Sequence, residues 1–316
     1  MVTFRQMQYF VEVAERAHFG NAATALGVSQ SALSQQLRAM ELALGVTLVE
    51  RNTRTAELSP PGRELLQQAK AVLLQMQDFL DLAARASDKP VGRIRFGITP
   101  TLGPYIMPSV IADLHRQSPD LRLFIKEGIP SQQMTELAEG KLDMMVAPLP
   151  VRGDGFEIEP LFREPLHIIA PPDHPLAEKK SLKENDLAGH TFLSLDHRHH
   201  YHDQAQTICN RVRANILGDY EGTSLDSLRQ MAGSGVGLAI LPDLYIRSES
   251  GGTDMVKNLH IDGWTEYRSI VALWRQNAAF ADTYRDIAKI IAGHGSKLMG
   301  EPKISDARNH AYEKRP

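Results

Sequence analysis

Two glycines set the frame for the amino end of this chain. Gly27 and Gly45 each close a run of apolar residues at helical spacing, and glycine tolerates the left-handed backbone that a sharp helix stop needs. Phe4, Met7, Phe10, Val11 and Ala14 recur at that spacing, so Thr3 to Ala17 reads as an amphipathic helix with Thr3 as its N-cap. Phe19-Gly20-Asn21 breaks the pattern, and Ala22, Ala23 and Leu26 form a short second face ending at Gly27. Val28 turns inward, Ser29 caps a third helix, and Ala32, Leu33, Leu37, Met40 and Leu44 make its apolar side.

The other side of that third helix carries Gln30, Ser31, Ser34, Gln35 and Arg38. Amides, short hydroxyls and a guanidinium are groups that hydrogen-bond base edges and phosphates, where a plain surface helix more often shows Glu and Lys. Next, Leu48 to Arg51 and Thr55 to Leu58 read as two short strands around a polar tip, a wing whose Arg51 and Arg54 can reach phosphates or a minor groove. Residues 1–60 therefore read as a winged helix-turn-helix that binds double-stranded promoter DNA, with a small helical bundle bearing a polar face as the alternative. Bulk charge does not help: residues 1–66 hold six arginines against six glutamates, and the whole chain carries −3. Any DNA contact must come from where the arginines sit.

From Pro61 onward Leu65, Ala69, Val72, Met76, Phe79 and Ala83 are spaced 4, 3, 4, 3, 4. That is a heptad seam, and Pro60 and Pro61 suit a helix start. One such helix cannot bury both the seam and its Leu66, Leu73 and Leu80 flank, so a second copy is the natural partner and a homodimer or homotetramer is expected. Residues 61–90 thus read as a linker helix with a polar hinge over 88–92.

Beyond the hinge, strand and helix patterns alternate with short links, which predicts an α/β unit with a parallel sheet. Arg93 to Ile98, Leu121 to Lys126, Leu142 to Ala147, Leu166 to Ala170, Thr191 to Leu195, Leu238 to Pro242 and Arg268 to Leu273 read as strands. Helices are expected over Tyr105 to Gln117, Ser131 to Glu139, Gln204 to Leu217, Ser224 to Gly233 and Ala279 to Ala292. The expected effector domain spans 91–300, with one lobe from about 91–163 plus 268–300, a second from about 164–267, and a polar tail over 301–316. Two lobes joined by two crossings leave a cleft at the strand ends, where a small-molecule effector would collect. Candidates to line it are Thr99, Pro100, Thr101, Ser131, Thr223 and Ser224, each at a helix start or the loop before one.

The stretches Phe10-Val11-Glu12-Val13-Ala14-Glu15, Ala22-Ala23, Val28-Ser29-Gln30-Ser31-Ala32-Leu33-Ser34 and Leu44-Gly45-Val46-Thr47-Leu48-Val49-Glu50-Arg51 resemble the DNA-binding signature of the LysR-type transcriptional regulators. Ser31 stands where that family usually has proline. The resemblance implies a periplasmic-binding-protein-like effector domain behind the winged helix-turn-helix. Within the family, Pro100-Thr101-Leu102-Gly103-Pro104-Tyr105, Glu139-Gly140-Lys141-Leu142-Asp143, Leu161-Phe162-Arg163-Glu164-Pro165, Asp203-Gln204-Ala205 and Thr223 to Arg229 are similar to the hydrogen-peroxide-responsive OxyR branch. On that resemblance the branch's peroxide-reactive cysteine falls on His200, its preceding histidine on His199 and its second cysteine on Cys209, while its threonine at the second helix start falls on Pro130 beside Ser131. His199 and His200 therefore join the effector candidates.

Cys209 is the only cysteine, so no disulfide can form within the chain and no Cys-based zinc site or CxxC pair exists. An imidazole at position 200 cannot attack peroxide as a thiolate does. Cys209 is left as a possible redox group or a buried inert thiol. The tract Asp196 to Asp203 holds four histidines, and His197, His199, His200 and His202 are weak metal-ligand candidates or a pH-responsive set. The alternative is a polar loop, and no cofactor is expected.

Apolar residues make up 42% of 316 and charged residues 23%, so extensive disorder is not expected. No uncharged apolar run nears the ~18 residues that span a membrane, and the first residues lack a basic region before an apolar core, so a cytoplasmic protein is expected. No GxSxG, HExxH or P-loop is present, and the glycines near Gly233 precede a strand rather than follow one, so no enzyme is expected. The expectation is a LysR-type regulator whose C-terminal half senses a small molecule or redox event and shifts oligomer geometry on DNA, with RNA polymerase as a further partner. The alternatives are a metal- or oxidant-responsive regulator of OxyR type and, remotely, an extracytoplasmic solute-binding protein.

Overall fold

The computed structural model describes residues 1–51, 56–86, 93–248 and 255–299. The chain divides into two compact units, Met1–Asp88 and Lys89–Pro316. The expected hinge over 88–92, Arg54 of the wing tip and the 301–316 tail lie outside the described residues.

In the first unit, α1 (Phe4–Arg16) starts with a reciprocal cap: the Gln6 amide N–H donates to Thr3 Oγ1, and the Thr3 amide donates to Gln6 Oε1 at 2.9 Å. The sequence reading placed a break at Phe19-Gly20-Asn21; instead α2 (Phe19–Ala25) begins there. His18 is the reason, because its Nδ1 accepts from the amides of Gly20 and Asn21. The third helix, α3 (Gln30–Leu44), is capped by Ser29 Oγ at one end and stopped by Gly45 at φ +72 at the other. Leu33, Leu37 and Met40 of α3 bury against Tyr9, Phe10 and Val13 of α1, each worth about 1.5–3 kcal/mol against exposure.

The wing is a two-stranded antiparallel ribbon, β1 (Val49–Arg51) and β2 (Ala56–Leu58). Glu41 fixes it to α3, since its Oε1 accepts from the amides of Leu48 and Val49 at 2.8 and 3.1 Å. Helix α4 (Pro60–Ala86) follows. Its first turns pack on the domain through Leu65, Leu66 and Ala69, while Val72, Met76, Phe79 and Leu80 are exposed.

The second unit is built on a seven-stranded sheet. Strands β3 (Arg93–Ile98), β4 (Arg122–Glu127) and β5 (Met144–Pro148) are parallel, linked by α5 (Gly103–Gln117) and α6 (Pro130–Ala138). The expected separate strand at Leu166 is instead the end of one 15-residue strand, β6 (Phe156–Ala170). Small elements follow: β7 (Thr191–Phe192), α7 (His200–Val212), β8 (Asn215–Ile216), α8 (Leu225–Gly233), β9 (Ala239–Pro242), α9 (Asp243–Ser248) and β10 (Lys257–Asn258). The chain returns along β11 (Tyr267–Arg275) and closes with α10 (Ala281–Met299).

The sheet runs β10-β6-β11-β5-β3-β4, with β9 also on β6. Only part of it is parallel as expected: β11 is antiparallel to β5 and β6, and β9 and β10 are antiparallel to β6. The first two-thirds of β6 pair with β11 and its last residues with β9 and β10, so β6 runs from one lobe into the other. Each lobe has its own core. One gathers Phe96, Ile106, Val146, Trp274 and Ile291; the other gathers Ile168, Phe192, Ile208, Leu228 and Ile240. Three further differences are local. The helix expected over Gln204 to Leu217 starts at His200 and ends at Arg213 in a left-handed conformation, after which Asn215–Ile216 forms β8. Helix α9 was not foreseen, and α10 continues past Ala292 to Met299.

Candidate nucleic-acid interface and effector region

The DNA-reading candidates sit on the outer face of α3. Gln30, Ser31, Gln35 and Arg38 are exposed and Ser34 is half-buried, while the opposite side of the helix is core. Arg38 makes no ion pair among the described residues, which leaves its guanidinium available to an external anion. Ser31 Oγ lies 3.0 Å from Ser29 Oγ at the helix start. The backbone of Arg51 ends β1; its side chain, like Arg54, lies outside the described residues. The face therefore presents amides, hydroxyls and one free cation on a rigid helix, braced from behind by Glu41 and the wing.

The effector candidates separate into groups. Thr99 and Thr101 are buried in the loop after β3, their hydroxyls 3.4 Å apart, with Pro100 half-buried between them. Thr101 was expected to face a ligand. Its Oγ1 and carbonyl instead accept from Arg268 at 2.8 and 2.7 Å, so its oxygens are already engaged. Ser131 is exposed in the first turn of α6. Thr223 is exposed, and Ser224 spends its hydroxyl capping α8 by accepting from the Ser227 amide. His199 caps α7 by position but not by side chain, and burial holds its imidazole below the ordinary value. His200 begins α7 with Nδ1 3.4 Å from the Pro148 carbonyl at the end of β5. His200 is thus the candidate that bridges the two lobes.

The histidine tract is not an extended loop. His200 and His202 lie in the first turn of α7, and His202 Nδ1 is 3.0 Å from Ser194 Oγ. The four histidines do not converge. The potential ligand atoms that do come together, within 4.8 Å, belong to Asp196, His197 and Glu221. Glu221 was missed because it follows β8, far along the chain. Asp196 is committed elsewhere: Arg198 donates to both its oxygens and holds its carboxyl well below the usual range. Cys209 is buried on the inner face of α7 beside Ile208, and burial pushes its thiol up to about 11.

Arg268 and Glu164 were not singled out from the sequence. They form a buried ion pair at 2.7 Å between β11 and β6. The other Glu164 oxygen accepts from the Leu244 amide at the start of α9. Burial pushes the Glu164 carboxyl up, against the pull of the Arg268 guanidinium.

A helix-turn-helix with a wing, and a two-lobed α/β unit after it in the chain, are matched by two family descriptions. Residues 4–63 match the bacterial regulatory helix-turn-helix protein of the lysR family, and residues 87–294 match the LysR substrate binding domain. The chain belongs to the LysR family and is a DNA-binding transcriptional regulator of that type.

Its relatives include the dual regulator OxyR of Escherichia coli K12, 32% identical over 302 residues and covering 94% of this chain and 99% of that one. A probable hydrogen peroxide-inducible genes activator of Mycobacterium avium is 35% identical over 297 residues, covering 92% and 93%. Among solved structures, a full-length cysteine-to-aspartate OxyR variant from Pseudomonas aeruginosa matches with a TM-score of 0.73 at 29% identity, covering 92% of this chain and 95% of that one. A hydrogen-peroxide-bound cysteine-to-serine variant of Corynebacterium glutamicum OxyR matches with a TM-score of 0.64 at 31% identity, covering 95% and 94%. No described helix is long and apolar enough to cross a membrane.

Proposed function

We propose that this regulator reads promoter DNA through the outer face of α3 as a paired molecule, and that its C-terminal unit answers a signal other than the oxidation of an internal cysteine pair. The observation that carries the DNA reading is the uncompensated Arg38 on a face of Gln30, Ser31, Ser34 and Gln35. A bidentate guanidinium or amide contact to a base edge is worth about 1–3 kcal/mol of discrimination, and a second copy multiplies modest single contacts.

The signal reading rests on chemistry. One buried thiol, raised to about 11, supplies neither a reactive thiolate nor a disulfide partner. The effector is then a small polar molecule held between the loop after β3, Ser131 and His200, the one candidate side chain that reaches across from α7 to β5. A ligand that fits one lobe closure better than the other shifts the oligomer between two geometries, in contact with RNA polymerase. Metal binding by the histidine tract has less support, because Asp196 is held by Arg198.

The test is fluorescence anisotropy of the full-length protein on duplex DNA from upstream of its own gene, at two salt concentrations. Gln30→Ala, Arg38→Ala and Arg51→Ala are each expected to weaken binding, with Arg51→Ala also flattening the salt dependence. Unchanged affinity and salt slope in all three would place the reading face elsewhere.

A further inference from the structure

A cavity of about 710 Å³ lies against β6, β10 and β11, and none of the effector candidates named from the sequence lines it. Its size falls in the range of small-molecule sites. Its walls are apolar and aromatic, with Trp264 and Tyr267 the largest surfaces, and one cation, Arg163, faces it.

These walls are held in place. Trp264 donates its indole N–H to the Leu166 carbonyl at 2.7 Å, and the Arg211 guanidinium lies over its ring at 5.7 Å. His167, also lining the cavity, is pinned on both ring nitrogens, by Asp243 at 2.9 Å and by the Asn258 side chain at 3.3 Å. The Arg163 guanidinium carbon lies over the Tyr267 ring, 4.6 Å from its centroid. A guanidinium held over a ring keeps its N–H donors for a carboxylate, which it can take in bidentate fashion. A site organised before its ligand arrives loses less entropy on binding.

The pairing of the lining charges points to the ligand. Glu266, the lining carboxylate, is paired with Arg211 at 2.5 Å, a guanidinium that Glu184 also reaches at 3.4 Å. Arg163 makes no ion pair among the described residues. Among the described residues the cavity therefore presents one guanidinium without an ion-pair partner, beside the edges and remaining faces of Trp264 and Tyr267. We propose that it binds a small organic carboxylate with an aromatic or flat apolar body, the carboxylate on Arg163 and the ring against Trp264 and Tyr267. The site stands independently of the DNA reading and of the strand-end effector region. Because its lining includes residues of both β6 and β11, occupancy bears on the strands that join the lobes.

The experiment is calorimetric titration of the full-length protein with phenylacetate and with its neutral counterpart phenylacetamide, alongside tryptophan emission. Phenylacetate is expected to bind about tenfold or more tightly than the amide, the scale of one charge-assisted hydrogen-bonded contact. It is expected to quench emission in a way that Trp264→Phe abolishes, and Arg163→Gln is expected to remove the preference for the acid. Equal binding of acid and amide, binding of neither, or an acid preference that survives Arg163→Gln would each overturn the proposal. The acid-amide comparison uses the unaltered chain and so decides the matter even if a variant misfolds. DNA affinity measured without the probe tests the other reading separately.

Discussion

Arg268 on β11 donates from Nε to Glu164 on β6 at 2.7 Å, with 3% and 0% of the two side chains exposed. The same guanidinium holds Thr101 through its hydroxyl and carbonyl, and Glu164 also takes the Leu244 amide. One pair thus ties together both crossing strands, the loop after β3 and the start of α9.

Removing one member of this pair strands the other as a buried charge, which costs about 3–5 kcal/mol. Glu164→Gln and Arg268→Met are each expected to lower the unfolding free energy of the second unit by that scale. Replacing both, as Glu164→Leu with Arg268→Met, is expected to lose less than the sum of the two. Both tryptophans, Trp264 and Trp274, lie in this unit, so a urea titration followed by their emission isolates its transition. Additive losses in the double variant would mean that the two residues act separately.

What the sequence revealed and concealed follows the range of each interaction. Thr3, Ser29 and Gly45 were legible as helix ends because a cap acts over three or four residues. The continuity of β6 was not: Pro160, Pro165 and the charges Glu157, Glu159, Arg163 and Glu164 hide any alternation, and a register shift between Ile270 and Val271 of β11 accommodates the strand. Glu164 and Arg268 lie 104 residues apart, and no local pattern marks them as partners. The histidine tract misled for the reverse reason. Its polarity reads as a loop, but Tyr201, Ala205, Ile208 and Cys209 lie buried along one face and carry the helix through it.

His18 is an unusual helix cap, and it explains why α2 starts at Phe19. Its Nδ1 accepts from two amides, at 3.0 and 3.3 Å, that would otherwise be unpaired at the helix start. His18→Ala is expected to destabilise the first unit by about 1 kcal/mol, the usual cost of losing a side-chain cap, and His18→Ser to recover most of it. Thermal melting of the Met1–Asp88 unit followed by far-ultraviolet dichroism, within the full chain, is the measurement. Equal melting of the alanine and serine variants would show that the imidazole acts by packing instead.

The seam of α4 makes a different demand. Phe79 is 62% exposed, and Val72, Met76 and Leu80 beside it are also exposed large apolar residues. Leu65, Leu66 and Ala69 at the start of the same helix are satisfied by their own domain. The helix therefore carries its own half of an interface only along its later turns. Met76→Asp with Phe79→Asp is expected to yield a monomer by sedimentation analysis and to weaken operator binding by far more than either half-site contact alone, since paired binding is lost. Leu65→Ala, by contrast, is expected to lower stability without changing the subunit number. A double-aspartate variant that stays oligomeric would place the pairing surface off this helix.

Cys209 decides how the chain meets an oxidant. The thiolate is the reactive form, and a thiol raised to about 11 leaves only about one molecule in 10,000 ionised near neutral pH. Its neighbours Ala205, Ile208 and Val212 share its buried face of α7, so reagents also lack access. The native protein is expected to resist iodoacetamide at pH 7 and to react readily in denaturant. The linkage has a definite sign. Because folding raises this group's value, the neutral thiol's contribution is full below its ordinary range and is lost as pH climbs through about 11. Hydrogen peroxide is expected to leave intact mass unchanged at concentrations that oxidise an exposed low-pKa thiol, and Cys209→Ala is expected to leave any peroxide effect on DNA binding unaltered. Rapid native alkylation, or a peroxide response abolished by Cys209→Ala, would return this thiol to the sensing role that its burial argues against.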